Sequence, residues 1–171
     1  MTNFLNPSEI LKQLNLRKNM IAADFGSGSG GWVIPLAKIL EDGHIFAVDI
    51  LEEPLSALRS KVKLEKLSNV DAIKADVEKG TSLLADSCDL VLMTNLLFQA
   101  ENKSGILEEG KRVLKQGGNI LVVDWKSESP LGPKEGRVST EEVKNLANNA
   151  NLKLEQEFSA GNYHYALVFK K

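Results

Sequence analysis

Short apolar runs at Met20–Phe25, His44–Asp49, Val70–Lys74, Cys88–Met93 and Asn119–Trp125 punctuate the chain at regular intervals. Between them apolar residues recur three and four positions apart. Val33, Leu36, Ala37 and Leu40 predict a helix to about Glu41. Leu51, Leu55, Leu58 and Val62 predict one over Leu51–Leu67, and Ile106, Leu107, Val113 and Leu114 a third that Gly117-Gly118 stops. A short, weak helix is expected after Asp76, and Asn95–Gln99 reads as a loop. Asn6-Pro7-Ser8-Glu9 carries the signals of a helix start, with Ile10, Leu11 and Leu14 as its stripe. Ser139-Thr140-Glu141-Glu142 is a capping box opening a last helix through Val143, Leu146, Ala147 and Ala150. Leu152–Phe158 and Tyr163–Phe169, joined by Ser159–Asn162, form a closing antiparallel hairpin.

Strands alternating with helices predict an α/β fold, a parallel sheet wound with helices on both faces. Ligands bind such sheets beyond the carboxyl ends of the strands. Phe25, Asp49, Asp76, Asn95 and Asp124 all fall at those ends, so they are expected around one cleft. If the first hairpin strand runs parallel to the others, Tyr163 and His164 begin near the same edge.

At 171 residues, 43% hydrophobic and 26% charged, the chain suits one globular domain, 1–171, with residues 1–19 as a short helical cap. A net charge of −2 gives no general footprint for nucleic acid. No apolar run approaches the ~20 residues that cross a bilayer, and no leader opens the sequence, so a cytoplasmic location is expected. The single cysteine, Cys88, lies in an apolar run and reads as buried strand filler; no metal cluster is expected.

The chemistry concentrates in Asp24-Phe25-Gly26-Ser27-Gly28-Ser29-Gly30-Gly31, which places four glycines within six positions between a strand and a helix. Gly26 through Gly31 satisfies G-x-G-x-x-G, the dinucleotide fingerprint, and Asp49 falls where a ribose-binding acid is expected. Asp24 argues for another ligand. A pyrophosphate on this turn would face its carboxylate, and two like charges ~4 Å apart at an effective dielectric near 20 repel by roughly 4 kcal/mol. An amino-acid ligand has the opposite preference, its amine suiting Asp24 and its carboxylate the N–H groups of the turn and helix start. S-adenosylmethionine has that charge distribution and no phosphate. Asp49 can then accept from both ribose hydroxyls, Asp76 from the adenine amino group, with the N–H of Val77 donating to the ring and Ile50 covering one face.

These segments resemble the class I S-adenosylmethionine-dependent methyltransferases over nearly the whole chain. Ala23–Gly30 is similar to their first motif, Phe46–Asp49 to the second-strand acid, Lys74–Val77 to the adenine-binding turn, Asp89–Asn95 to the fourth-strand motif and Arg112–Gly118 to the segment before strand five. The resemblance implies a three-layer Rossmann-like fold of seven strands in the order 3-2-1-4-5-7-6, the last antiparallel. It implies an S-adenosylmethionine cofactor and no metal. Asp24, Phe25, Gly26, Ser27, Gly28, Gly30, Asp49, Ile50, Asp76, Val77 and Asn95 are the cofactor-binding residues it implies. Small members that act in quinone biosynthesis or on arsenite look most similar, although one cysteine speaks against arsenite chemistry.

Methyl transfer from a sulfonium is an in-line displacement in which positioning alone can supply roughly 7–11 kcal/mol, so no general base is required of every acceptor. Asp124, Lys126, Tyr163 and His164 are the candidates at the cleft. Asn95 lacks the Asn-Pro-Pro-Tyr context of enzymes that methylate amino groups of bases and glutamines, which disfavours nucleic acid and leaves a small molecule or a protein as acceptor. Trp125–Val138 is long and without regular pattern, a candidate lid or acceptor loop in which Lys126 and Arg137 are placed to meet an anionic substrate. A core this bare must dimerise, accept a bulky partner, or use its short loops for a small molecule. The competing functions are an NAD(P)-dependent oxidoreductase and a non-catalytic S-adenosylmethionine-binding module.

Overall fold

The computed structural model describes residues 4–171 and contains one seven-stranded sheet. Its strands are β1 (Ile21–Phe25), β2 (His44–Asp49), β3 (Val70–Lys74), β4 (Cys88–Thr94), β5 (Leu114–Trp125), β6 (Lys153–Ala160) and β7 (His164–Lys170). Their order is β3-β2-β1-β4-β5-β7-β6. β1 to β5 are mutually parallel, and β7 runs antiparallel to both β5 and β6. β6 is thus parallel to the first five strands, and β7 starts at their carboxyl edge. In register His164 pairs with Trp125, the last residue of β5.

Each face of the sheet carries a helical layer because successive strand residues point to opposite sides. On one face α1 (Pro7–Leu11), α2 (Val33–Ile39) and α3 (Glu52–Leu64) bury Leu11, Leu36, Leu55 and Leu58 against Ala22, Leu92, Leu121 and Val168. On the other, α4 (Lys103–Val113) and α5 (Thr140–Asn149) bury Ile106, Leu107, Val143 and Ala147 against Val91, Ile120, Val122 and Leu167. The caps read from the sequence form: Asn6 accepts from the N–H groups of Ser8 and Glu9, and Ser139 from that of Glu142. Cys88 is buried in β4, as its apolar run predicts. No helix among the described residues is long and apolar enough to cross a membrane.

Three local expectations fail for tertiary reasons. The helix expected after Asp76 is replaced by turns. Glu109 takes the N–H and hydroxyl of Thr81 at 2.8 and 2.6 Å, and Arg112 takes the carbonyls of Thr81 and Leu83. Backbone groups a helix would pair internally are thereby committed to α4. Gly117-Gly118 does not stop α4 either. That helix ends at Val113, where the N–H groups of Asp86 and Ser87 take the carbonyls of Arg112 and Val113, and the glycines lie inside β5 beside a register shift. Residues 95–99 are not a simple loop but include a 3-10 turn, Leu97–Gln99.

Candidate functional site

β1 and β2 end side by side, and the glycine turn after β1 is tied to β2 by its backbone. Gly26 and Ser27 both donate to the carbonyl of Val48, at 2.8 and 3.0 Å. Gly28 donates to Asp49 Oδ2 at 2.8 Å, while Asp49 Oδ1 accepts from Leu51 N–H at 3.0 Å. The N–H groups of Gly26, Ser27 and Gly28 are therefore not free for a ligand carboxylate as expected, nor is that of Gly30, which donates to Ser27. Gly28, at φ +52, has open space where a side chain would begin. Gly30, at φ +89, instead packs the turn onto α3, since a Cβ there would lie 2.4 Å from Leu58.

Six of the expected cofactor residues, Gly26, Gly28, Asp49, Ile50, Asp76 and Val77, line a cavity of about 320 Å³ beyond the ends of β1 to β3. Asp49 uses each carboxylate oxygen once on an N–H and retains lone pairs for a diol. Asp76 accepts from Glu78 N–H and pairs with Lys79 at 3.0 Å, which holds its carboxyl below the usual range. Ile50 is 55% exposed, an apolar flank above the acids. The lining has three carboxylates, Asp49, Asp76 and Glu78, and no lysine or arginine. A dinucleotide's diphosphate would find carboxylates and no cation there, whereas a nucleoside's hydroxyl and amino donors find acceptors.

Leu96, Gln99, Ala100 and Ile106 close the far side of this cavity, and sequence reasoning missed them. Asn95, at φ +49, turns the chain after β4. Asp124 then folds the 3-10 turn back by accepting from Phe98 N–H at 3.2 Å. The only signal for this is an acid 26 positions away. Burial pushes Asp124 up to about 6 against the opposing N–H bonds from Trp125 and Phe98. Its position is that of a structural clamp, buried and with each carboxylate oxygen accepting one backbone N–H.

The remaining expected residues lie under or beside the turn. Phe25 is buried in the core. Asp24 is also fully buried, between Ala47 and Leu92 in register, and both its oxygens lack partners. Burial, then the nearby Asp49, pushes its carboxyl up to about 8. Ser27 Oγ and Asn95 Oδ1 are buried and unpartnered as well. Orphaned acceptors of this kind are costly, and three side chains that share them flank one turn. A cationic amine with protons to donate fits that set; a phosphate does not.

At the other end of the edge, the Trp125 and His164 rings stack at a 39° tilt with centroids 4.0 Å apart. Both His164 nitrogens are buried without partners, and burial together with Lys126 pulls the imidazole down to about 4, so it is neutral. Tyr163 packs edge-on against Phe4 at 5.5 Å. Residues 126–137 cross this region, and their expected cations are otherwise engaged. Lys126 donates to Ser159. Arg137 donates to the carbonyls of Lys126, Ser127, Ser129, Leu131 and Pro133, so it organises the segment from within and is not free for an anionic substrate.

The sequence matches the methyltransferase domain family over residues 16–170. It is 30% identical over 117 residues to a demethylmenaquinone methyltransferase of Listeria welshimeri, covering 68% of this chain and 49% of that protein. The chain thus spans about half the length of the curated relatives it matches. A crystal structure of a SAM-dependent methyltransferase from Aquifex aeolicus superposes with a TM-score of 0.90 at 27% identity, covering 96% of this chain and 89% of that one. The [4+2]-cyclase SpnF superposes with a TM-score of 0.85 at 13% identity, covering 96% of this chain and 79% of that one, a likeness of fold alone.

Proposed function

The chain belongs to the class I S-adenosylmethionine-dependent methyltransferases, and from that premise we propose that it transfers a methyl group from S-adenosylmethionine to a small-molecule acceptor. When bound, the cofactor supplies a methyl group already activated on a sulfonium sulfur. The chain's own residues bind and orient. Asp49 takes the ribose hydroxyls, Asp76 and Val77 the adenine edge, and Ile50 one adenine face. Asp24, Ser27 and Asn95 receive the amine of the amino-acid end. The observation that carries this reading is the pairing of a cavity whose only charged residues are acids with a buried cluster of unpartnered acceptors beside it.

A small acceptor is favoured because residues 126–137 lie over the edge beyond β5, where Gly132 rests on the Trp125 ring. We read this segment as the cover of the acceptor side. The relatives at 30% identity act, by name, on a small molecule too.

Two measurements test the proposal together. Calorimetry should give binding of S-adenosylhomocysteine and none of NAD. Labelled methyl groups from S-adenosylmethionine should enter the small-molecule fraction of a cell extract and leave its protein and RNA unlabelled. Binding without transfer into any fraction would favour a non-methylating role; NAD binding alone would end the cofactor assignment.

A further inference from the structure

The cofactor reading assigns two of the three carboxylates that line the cavity and leaves Glu78 over. Glu78 lies in the turn that follows β3, directly after Asp76 and Val77. Its side chain reaches from that turn to the start of α4. One oxygen accepts from the N–H of Asn102 at 2.6 Å and the other from that of Glu101 at 3.4 Å. Asn102 is the N-cap of α4, its own side chain accepting from Gly105 N–H, so the Glu78 carboxylate also stands where the helix dipole favours negative charge.

These bonds span the cavity. Asp76, Val77 and Glu78 line one side of it, and Leu96, Gln99, Ala100 and Ile106 the other. Asp124 ties the second side down to β5 through Phe98. Among the described residues no other hydrogen bond joins residues 75–78 to residues 95–106. Val77, Leu96, Ala100 and Ile106 do share one apolar cluster. Apolar packing draws the two sides together without direction, whereas the bonds of the carboxylate fix distance and orientation.

We propose that Glu78 is a positioning residue for the nucleoside half of the cofactor, holding the far wall of the cavity in place for a flat base. This rests on the S-adenosylmethionine reading of the same cavity. On that reading the base edge meets Asp76 and Val77, one face lies against Ile50, and the wall that Glu78 holds supplies the other face. A wall fixed before the ligand arrives spares the ligand the cost of ordering it. Once released, the wall is in place only part of the time, and apparent affinity falls by that fraction. Glu78 acts through the wall, since each of its oxygens is already on a backbone N–H.

Calorimetry with adenosine and with S-adenosylhomocysteine tests this on the full chain, alongside thermal unfolding of the same samples. Glu78→Ala should weaken both ligands by the same factor, about tenfold if the released wall is in place about a tenth of the time. Equal loss locates the effect at the nucleoside, the part the two ligands share. Glu78→Gln keeps a carbonyl oxygen for the N–H of Asn102 and should recover most of the loss. Asn102→Ala is the control for a merely structural role. It removes the cap on Gly105 and lowers thermal stability, yet leaves both N–H groups that Glu78 holds, so adenosine should bind within about twofold of the unaltered protein. If Glu78→Ala does not fold, Glu78→Asp, one methylene too short to reach both N–H groups, should show the same equal loss. Adenosine affinity left within about twofold by these variants, a loss confined to S-adenosylhomocysteine, or an equal loss in Asn102→Ala would each overturn the assignment. An unaltered protein that binds neither ligand would overturn the cofactor reading, and the Glu78 assignment with it.

Discussion

The two ends of the sheet's carboxyl edge are built on opposite plans. Over β1 to β3 the site is open, and its turn is held by backbone bonds to Val48 together with one carboxylate. Asp49 fixes the glycine turn and the start of the next segment through two N–H groups, and the cavity beside it is lined with acceptors. Over β5 and β7 the edge is closed and held by side chains. Arg137 gathers five carbonyls, Gly132 covers Trp125, and His164 is sealed beneath. Backbone-fixed geometry suits a cofactor that is always the same molecule. A side-chain-built cover can be exchanged without disturbing the strands, so it suits the half that differs from one enzyme to the next.

The contrast is broken most directly at Asp49. Asp49→Ala removes the proposed acceptor of two ribose hydroxyls and the anchor of the turn at once. Hydrogen bonds to charged groups contribute about 1.5–3 kcal/mol each, so S-adenosylhomocysteine should bind at least about a hundredfold more weakly by calorimetry. The fold should survive, because Gly26 and Ser27 remain bonded to Val48. A loss below tenfold would mean that the open half is not organised around this carboxylate.

A smaller effect separates Asp24 from the acids lining the cavity. Its pKa is raised to about 8 in the free protein, first by burial and then by Asp49. An arriving ammonium favours the ionised carboxylate, so binding releases a proton below that value. Affinity for S-adenosylhomocysteine should rise about tenfold per pH unit between 6 and 7, and about fivefold from 7 to 8. Stability of the free protein runs the other way. A carboxyl raised in the folded state contributes stability that is complete below the unfolded value and lost as pH rises through about 8. Asp24→Asn should flatten both profiles, and a flat binding profile in the unaltered protein would remove Asp24 from the amine site.

The same division explains what the sequence discloses. Asp24, Asp49 and Asp76 are legible because a strand end followed by a turn is local, and its residue types report directly on what the backbone does there. The strand order and hairpin follow from connection lengths in the same way. Leu96, Gln99 and Ala100 are illegible locally because they reach the cavity only when Asp124, on another strand, folds the 3-10 turn back. Arg137 misleads for a related reason. A cation in a long loop looks available until five carbonyls of that loop turn toward it. The turns at 75–87 likewise depend on Glu109 and Arg112 of α4, which no pattern within the segment foretells.

The finest comparison sets Gly132 of the closed half against Gly117, near the start of β5 at the opposite edge of the sheet. Gly132 at φ +89 and Gly117 at φ +80 share a left-handed backbone that costs a side chain roughly 1 kcal/mol. They differ in surroundings: a Cβ at Gly117 meets nothing within 4 Å, whereas one at Gly132 would lie 2.5 Å from Trp125. Gly117→Ala should therefore lower thermal stability by the backbone cost alone and leave Trp125 fluorescence unchanged. Gly132→Ala carries the same cost and also drives the segment off the indole, so Trp125 emission should shift toward that of a solvated ring. S-adenosylhomocysteine affinity should stay within about twofold in both, because neither glycine touches the backbone-held half. If Gly132→Ala changes cofactor affinity as much as it changes Trp125, the two halves are coupled and the segment reports on the cofactor as well as on the acceptor.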